Sequence, residues 1–443
     1  MRITILTLGS RGDVQPYVAL GLGLQRVGHE VTILAGDEFE AWVSGYGLRF
    51  HPFGFSVRES VSESESARDI LEGRRGLLRG AWEMLQHAKA LFDLYLASAW
   101  EACKDADAVI CSTLGMAAYH VAEKQGMPCL WALTMPAFQR TRAVPSPIVP
   151  LLPWRSGMLN LLTHRLAEGF WHLLTAQFYN PWRQKQLGLP PLSLWKWPYA
   201  VLNGQPVPML FHFSPAVIPR PPDWARPGSG RPDYGQDHLH ITGYWFLDHD
   251  PAWQPPADLI AFLEAGPPPV YAGFGSMVAR RAEATARIVL QALRRAGQRG
   301  VLAVGWSGVK DSTIPELHEA IGRGEVFLLE ECPHDWLFPR MAAVVHHGGA
   351  GTTGAGLRAG IPSILVPFAG DQLFWGERVA ALGVGPEPIP RRALTADKLA
   401  YAIRLAVEHG PMRARAAALG ERIRAEDGVG QAVRIINGVL ADG

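Results

Sequence analysis

Along residues 3–52, short apolar runs alternate with stretches of helical periodicity. Ile3 to Leu8 reads as a buried strand, 14–28 as a helix, 31–35 as a strand, 37–46 as a helix and 48–52 as a strand. The alternation resumes with a strand near 107–111, a helix near 115–126 that stops at Gly126, and a strand at 128–133. Such alternation predicts a parallel sheet wrapped by helices, because parallel neighbours need a long crossover, usually helical. From Pro269 it starts again: strands at 269–274, 300–305, 326–330, 342–346 and 363–366, and helices at 280–297, 351–359 and 371–382, with further helices to the end. The expected fold class is α/β, with two Rossmann-like doubly wound domains.

Two regions break the pattern. Residues 53–104 are rich in Ser, Glu and Arg before a long helix, and 134–210 are rich in Pro and Trp. Both read as insertions that build a pocket over the carboxyl edge of the first sheet, where open α/β sheets place ligands. Residues 215–256 are dense in Pro, Gly and Asp, as in Pro219-Arg220-Pro221-Pro222-Asp223, which marks a connection between domains. The expected layout is a first domain over 1–225, a linker over 226–255, a second domain over 256–425 and a last helix over 426–443. Two such halves predict a cleft with one substrate held by each wall.

Composition narrows the function. Lys plus Arg (42) and Asp plus Glu (41) nearly cancel. That argues against nucleic acid or a general anionic partner and confines any phosphate site to a local cluster. Cys103, Cys111, Cys129 and Cys332 form no C-x-x-C pair and lie in or beside apolar segments, against both a zinc site and a disulfide scaffold. A reducing, cytoplasmic setting follows as the expectation. No stretch reaches the ~18 to 20 apolar residues needed to cross a bilayer, so a soluble chain is expected. The 15 Trp suit a large apolar ligand.

The richest stretch is His346-His347-Gly348-Gly349-Ala350-Gly351-Thr352-Thr353-Gly354, between an apolar strand and a helical pattern. Glycines let backbone approach a ligand, and free N–H groups at a helix start favour an anion such as a diphosphate. A tight turn without a ligand explains the glycines equally well. Other stretches end at corresponding strand tips: Gly273-Phe274-Gly275-Ser276, Glu331-Cys332-Pro333-His334-Asp335-Trp336 and Gly370-Asp371-Gln372. Trp336 is a candidate to stack on a base, or a packing residue. Asp371 and Gln372 suit sugar hydroxyls.

Together with Pro367-Phe368-Ala369-Gly370-Asp371-Gln372, Trp375-Gly376, Gly9-Ser10-Arg11-Gly12-Asp13-Val14-Gln15-Pro16, Gly243-Tyr244-Trp245 and Pro333 to Phe338, these residues resemble family one glycosyltransferases, specifically sterol 3-beta-glucosyltransferases and related antibiotic glycosyltransferases. The resemblance runs in order over nearly the whole chain and is weakest across 53–104 and 134–210. It implies a GT-B fold with an N-terminal acceptor domain, a C-terminal donor domain and a last helix crossing back to the first. It also implies that His347 contacts the diphosphate, that Ser276 and Gly349, Ala350, Gly351 and Thr352 line it, and that Asp371 and Gln372 bind the sugar. His334 and Trp336 belong to the donor side. Many plant relatives carry a base-stacking Trp and a ribose-binding Glu where this chain has Glu331 and Ala355, so UDP is favoured while dTDP stays open. A nucleotide sugar is thus the co-substrate, with no cofactor and no metal required, and a sterol, triterpenoid or other natural-product aglycone is the acceptor.

The resemblance assigns the general base to Asp13. As a helix start follows at Val14, Asp13 also reads as a simple cap. A free Asp, with a pKa of about 3.9, is a poor base for an alcohol, so burial or a neighbouring carboxylate should raise it. Arg11 reads as a phosphate contact or a surface residue. Asp105-Ala106-Asp107 and Asp248-His249-Asp250 have the D-x-D spacing of metal-using transferases but lie in polar connections, as solvated loops do. Trp82, Trp131, Met135 and Phe138 are the acceptor-lining candidates, against a default of packing. A sterol-like acceptor would also bring the protein to a membrane surface. An NAD-dependent oxidoreductase is disfavoured because Gly9-Ser10-Arg11-Gly12 is not G-x-G-x-x-G and Asp37 is the nearest acidic partner. A nucleotide-sugar-binding module and an epimerase remain as other readings.

Overall fold

The computed structural model describes residues 1–56, 77–148, 156–193, 197–224, 238–274, 282–303 and 314–442, without the side chains of 77–88. The chain divides into two compact units. One comprises Met1–Phe213, Arg220–Leu247 and Asp427–Gly443, the other Ser214–Pro219 and Asp248–Glu426.

The first unit runs β1 (Arg2–Leu6), α1 (Arg11–Arg26), β2 (Glu30–Ala35), α2 (Glu40–Gly45), β3 (Arg49–Pro52), α3 (Leu77–Cys103), β4 (Ala108–Cys111), α4 (Ala117–Gln125), β5 (Cys129–Leu133) and α5 (Gly157–Trp182). A short hairpin, β6 (Val201–Leu202) and β7 (Gln205–Pro206), precedes β8 (Met209–Phe211) and β9 (Leu239–Ile241). The sheet has seven parallel strands in the order β3-β2-β1-β4-β5-β8-β9. Its strands are apolar on both faces because helices cover both: Ala108–Cys111 and Cys129–Leu133 are buried at every position. The order reverses between β1 and β4, and at such a switch point the loops diverge and leave a crevice.

The second unit runs α6 (Ala257–Glu264), β10 (Val270–Gly273), α7 (Ala282–Ala296), β11 (Gly300–Ala303), α8 (Pro315–Gly322), β12 (Val326–Leu329), α9 (His334–Leu337), β13 (Ala343–His346), α10 (Ala350–Ala359), β14 (Ser363–Leu365), α11 (Gln372–Ala381), α12 (Ala396–Glu408) and α13 (Gly410–Arg424). Five parallel strands lie in the order β12-β11-β10-β13-β14, with the switch point between β10 and β13. One core, around Leu290, Leu293, Leu317, Val345, Ile364 and Ile403, covers one face. A second, around Leu259, Tyr271, Leu337, Phe338 and Val344, covers the other.

The last helix, α14 (Gly428–Asp442), is part of the first unit, where Ala432, Val433 and Ile436 enter the core formed by Leu20, Leu24, Ile33 and Trp245. Gly23 makes the approach possible: a Cβ there would lie 2.5 Å from Val429 Cγ1 and 3.0 Å from Val433 Cγ2.

The α/β class with two parallel sheets is as the alternation predicts. Three details differ. β1 ends at Leu6 rather than Leu8, and α1 starts at Arg11 rather than Val14, because Ser10 is already extended and serves as N-cap. Residues 239–241, expected in a linker, form the edge strand β9. The 134–210 region, expected to be irregular, holds the 26-residue α5, whose proline, Pro181, falls in its last turn and so does not interrupt it.

Candidate functional site

In the second unit the site is built where β13 ends. His346 is the last strand residue, paired with Gly273 and Leu365 at the tips of its neighbours. Its ring is buried, and Nδ1 accepts the Gly348 N–H at 3.1 Å, which places the ring proton on Nε2. That bond folds the chain sharply back. Gly348 sits at φ +97°, and a Cβ there would lie 3.0 Å from both the Gln372 carbonyl oxygen and Leu365 Cδ2. Gly349 is the N-cap of α10, and its missing Cβ would fall 2.6 Å from His347 Nε2. Only glycine lets His347 lie across the helix start.

α10 has no side-chain cap. The N–H groups of Ala350, Gly351 and Thr352 therefore lack intrahelical partners and point outward, with the helix dipole behind them. Gly351 is exposed and Ala350 and Thr352 are partly so. Thr353 stabilises the turn from inside, its hydroxyl donating to the Gly349 carbonyl at 2.9 Å. Burial pushes the His347 pKa down to about 4, so the ring is neutral at neutral pH, and its Nδ1 is enclosed without a partner among the described residues. An uncapped helix start beside a neutral imidazole is a seat for an anion.

Neighbouring strand tips supply the rest. The His334 ring stacks on Phe338 at 4.2 Å and meets Tyr271 edge-on. Trp336 lies under the Arg340 guanidinium at 4.1 Å and edge-on to Trp253, a packed rather than a bare ring. Glu331 is exposed and Ala355 half-buried against the second core. At the start of α11, Gln372 is buried and its amide oxygen accepts the N–H groups of Phe368 and Ala369 at 2.7 and 3.2 Å. Those bonds shape the Pro367–Gly370 loop and occupy the amide oxygen. Asp371 accepts the Trp375 indole N–H at 2.8 Å. Ser276 lies outside the described residues.

Both D-x-D stretches are tied into ion pairs. Asp107 accepts from the Arg2 backbone and guanidinium, and Asp248 pairs with Arg358. His249 is not a bystander: its backbone N–H and Nδ1 reach Asp335 Oδ2 at 3.0 and 2.6 Å. Burial raises the Asp335 pKa, but the His249 hydrogen bonds and charge outweigh it and hold it below the usual range. Among the described residues no group of three or more His, Cys, Asp or Glu is placed to hold a metal ion.

In the first unit, Asp13 follows the β1 tip at the switch point. It is not the cap but the third helical residue. Its Oδ2 accepts the Ser10 N–H at 2.8 Å and the Ser10 hydroxyl at 2.9 Å, while the Thr7 hydroxyl donates to its carbonyl. Gly9, at φ +128°, gives the carboxylate room, since a Cβ there would lie 2.4 Å from Oδ2. Desolvation by surrounding protein raises the Asp13 pKa against the pull of the two Ser10 hydrogen bonds. The side chain nevertheless keeps an accessible edge, so a substrate can reach it. Arg11 stacks on Trp42 at 5.0 Å.

Sequence reading missed Tyr17, which feels the Asp13 charge, and the rings packed on it. Tyr17, one turn on, donates its hydroxyl to the Ala132 carbonyl at 2.7 Å and meets His212 edge-on. His212 stacks on Trp245, and burial pushes its pKa down to about 3. The i, i+4 step from Asp13 to Tyr17 was a readable signal; His212 offered none. Of the acceptor candidates, Trp131 is a correction. It is 1% exposed, bonded through its indole to the Tyr199 carbonyl and enclosed by Tyr119, Tyr199 and Phe138, hence core. Phe138 is also buried, at φ +61°, against Trp171 and Trp197. Met135 is half-buried, and the Trp82 side chain lies outside the described residues.

Two domain families match the sequence: the glycosyltransferase family 28 N-terminal domain over residues 3–144 and the erythromycin biosynthesis protein CIII-like C-terminal domain over residues 316–434. A sterol 3-beta-glucosyltransferase of Emericella nidulans is 39% identical over 449 residues, covering 98% of this chain and 30% of its own length. The chain thus spans about a third of that relative. Among solved structures, the glycotransferase of kitacinnamycin superposes with a TM-score of 0.66 at 19% identity, covering 99% of both chains. Glycosyltransferase VinC in complex with DTDP gives 0.64 at 20% identity, covering 100% of both. At such identities the likeness is one of fold, which is the two-domain GT-B fold of glycosyltransferases.

Proposed function

We propose that the chain is a glycosyltransferase, as its two domain matches and its sterol 3-beta-glucosyltransferase relatives suggest, and that it transfers a hexose from a nucleoside diphosphate sugar, UDP-glucose first, to the hydroxyl of a sterol or similar lipophilic acceptor. The observation that carries this reading is the uncapped start of α10 behind the Gly348–Gly349 fold, with neutral His347 beside it. The seat takes the diphosphate, and Asp371 with the amide nitrogen of Gln372 takes sugar hydroxyls.

The first unit, which includes the last helix, is the acceptor side and supplies the base; the second unit is the donor side. Asp13 accepts the proton of the acceptor hydroxyl as that oxygen attacks the anomeric carbon from the face opposite the leaving diphosphate. The bond to the diphosphate oxygen breaks, and the released charge falls on the Ala350, Gly351 and Thr352 N–H groups and the His347 ring N–H. A single displacement inverts, giving a β-linked product from an α-linked donor. The leaving charge is met by backbone dipoles, so no cation is required. Since VinC was solved with DTDP, thymidine donors are tested beside uridine donors.

The test is mass-spectrometric detection of product from EDTA-treated protein, UDP-glucose or dTDP-glucose, and a panel of sterols, triterpenoids and flavonoids. The expected result is a hexose adduct on a sterol, absent with Asp13→Ala. Donor consumed without acceptor would point to hydrolysis or epimerisation, and absence of both donor binding and product would overturn the reading.

A further inference from the structure

Asp248, His249 and Asp250 lie in an irregular stretch of the second unit, and each is bonded in a different direction. Asp248 reaches α10, where both of its oxygens accept from the Arg358 guanidinium. His249 reaches α9, its backbone N–H and Nδ1 meeting Asp335 Oδ2 at 3.0 and 2.6 Å. Because a carboxylate only accepts, the ring proton stands on Nδ1. Asp250 closes a turn: its Oδ1 accepts the Ala252 N–H and its carbonyl the Trp253 N–H, each at 2.8 Å. The turn brings the Trp253 ring edge-on to His249 at 5.7 Å and to Trp336 at 5.5 Å.

α9 needs an outside fastening. At four residues, His334–Leu337, it is too short to hold its own shape, since a first helical turn fixes several dihedral angles for each hydrogen bond gained. It also borders the anion seat. Burial, then charge on His347 and on His334, lowers the His346 pKa, so His334 lies within electrostatic reach of the turn that His346 folds. Residues 248–253 thus touch both α10, whose start is the seat, and α9 beside it. The two attachments differ in strength. The Asp248 side chain is 61% exposed, and an ion pair so open to water stabilises little. The Asp335 side chain is 19% exposed and takes two charge-assisted hydrogen bonds on one oxygen, the stronger class. The position of α9 therefore depends on His249.

We propose that His249 is a positioning residue of the donor site: through Asp335 it holds α9 beside α10, so that the nucleoside of a nucleoside diphosphate sugar meets α9 while its diphosphate occupies the start of α10. The inference rests on the donor reading of that seat. His249 touches no reacting atom, so its loss raises KM for the donor sugar and leaves kcat in place. Inorganic pyrophosphate fills the seat without reaching α9, which separates this role from a general loosening of the unit.

The test is calorimetric titration of the full chain with UDP, or with dTDP if wild type prefers it, and separately with inorganic pyrophosphate. His249→Ala should weaken nucleotide binding about tenfold and pyrophosphate binding less than about twofold, the gap being the lost hydrogen-bonded attachment. His249→Asn, whose side-chain N–H can still reach Asp335, should recover most of the nucleotide affinity. If His249→Ala melts early, His249→Phe carries the comparison, because it keeps a ring beside Trp253 and lacks the N–H. Unchanged nucleotide affinity in these variants would overturn the proposal while leaving the donor seat standing. So would an equal loss of both ligands, because His249 would then support the unit as a whole. Wild type that binds neither nucleotide nor pyrophosphate would overturn the donor reading itself, and this inference with it.

Discussion

Asp13 is held in a way that suits a base. Ser10 fixes one carboxylate oxygen, crowding by protein raises the pKa, and an accessible edge remains. Asp13→Asn keeps an oxygen for the Ser10 hydrogen bonds but cannot take a proton. We expect kcat to fall by about 10² to 10⁴ with donor affinity retained; a fall in affinity alone would make Asp13 a binding residue. The rate should drop as pH falls through the raised pKa. A carboxyl raised on folding contributes stability below the unfolded carboxylate range and loses it as pH rises through the folded value, so the same variant should melt no earlier than wild type at neutral pH. Gly9→Ala tests position rather than chemistry. Its Cβ would displace the carboxylate, and kcat should fall at least ~10-fold without loss of donor binding, measured by calorimetry with UDP. Unchanged turnover would mean that the exact placement of Asp13 does not matter.

At the scale of elements, two close approaches rest on glycine. Gly349→Ala drives a Cβ into His347 across the uncapped start of α10, and UDP affinity should weaken by about tenfold, on the order of 1.4 kcal/mol. Equal affinity would place the diphosphate elsewhere. Gly23→Val pushes α14 from α1. Overpacking of this kind costs about 1–3 kcal/mol, so thermal melting should move down while UDP affinity stays.

The whole molecule carries neutral histidines in both units. Burial pushes His164 and His347 down to about 4 and His212 to about 3, and holds His120 and His346 well below their usual value. Such groups stay neutral when folded and take protons when unfolded. Their stabilising effect is present above about pH 6.5 and is lost as pH falls towards about 4. Melting temperature should therefore drop steeply between pH 7 and pH 5, a loss on the order of several kcal/mol. A flat profile over that interval would contradict the buried placement of these rings.

The amino-acid order alone determined the two parallel sheets, because a strand buried on both faces and a helix buried on one leave different periods in the chain. It also marked the His346–Thr353 turn, where glycine is demanded locally by backbone approach. What it could not decide was which polar groups would satisfy one another at long range. That the Gln372 amide oxygen is engaged by the Phe368 and Ala369 N–H groups is not written in the sequence, and His249 reads as part of a solvated loop until Asp335 is beside it. Trp131 reads as a pocket wall until Tyr119 and Tyr199 enclose it. That α5 buries Glu168 and His172 and exposes Met158, Phe170 and Leu173 stayed hidden because a helix apolar on most of its circumference does not reveal which face is covered. Local periodicity is written in neighbouring residues, whereas burial and hydrogen-bond pairing depend on residues far apart in sequence, so only the folded chain decides them.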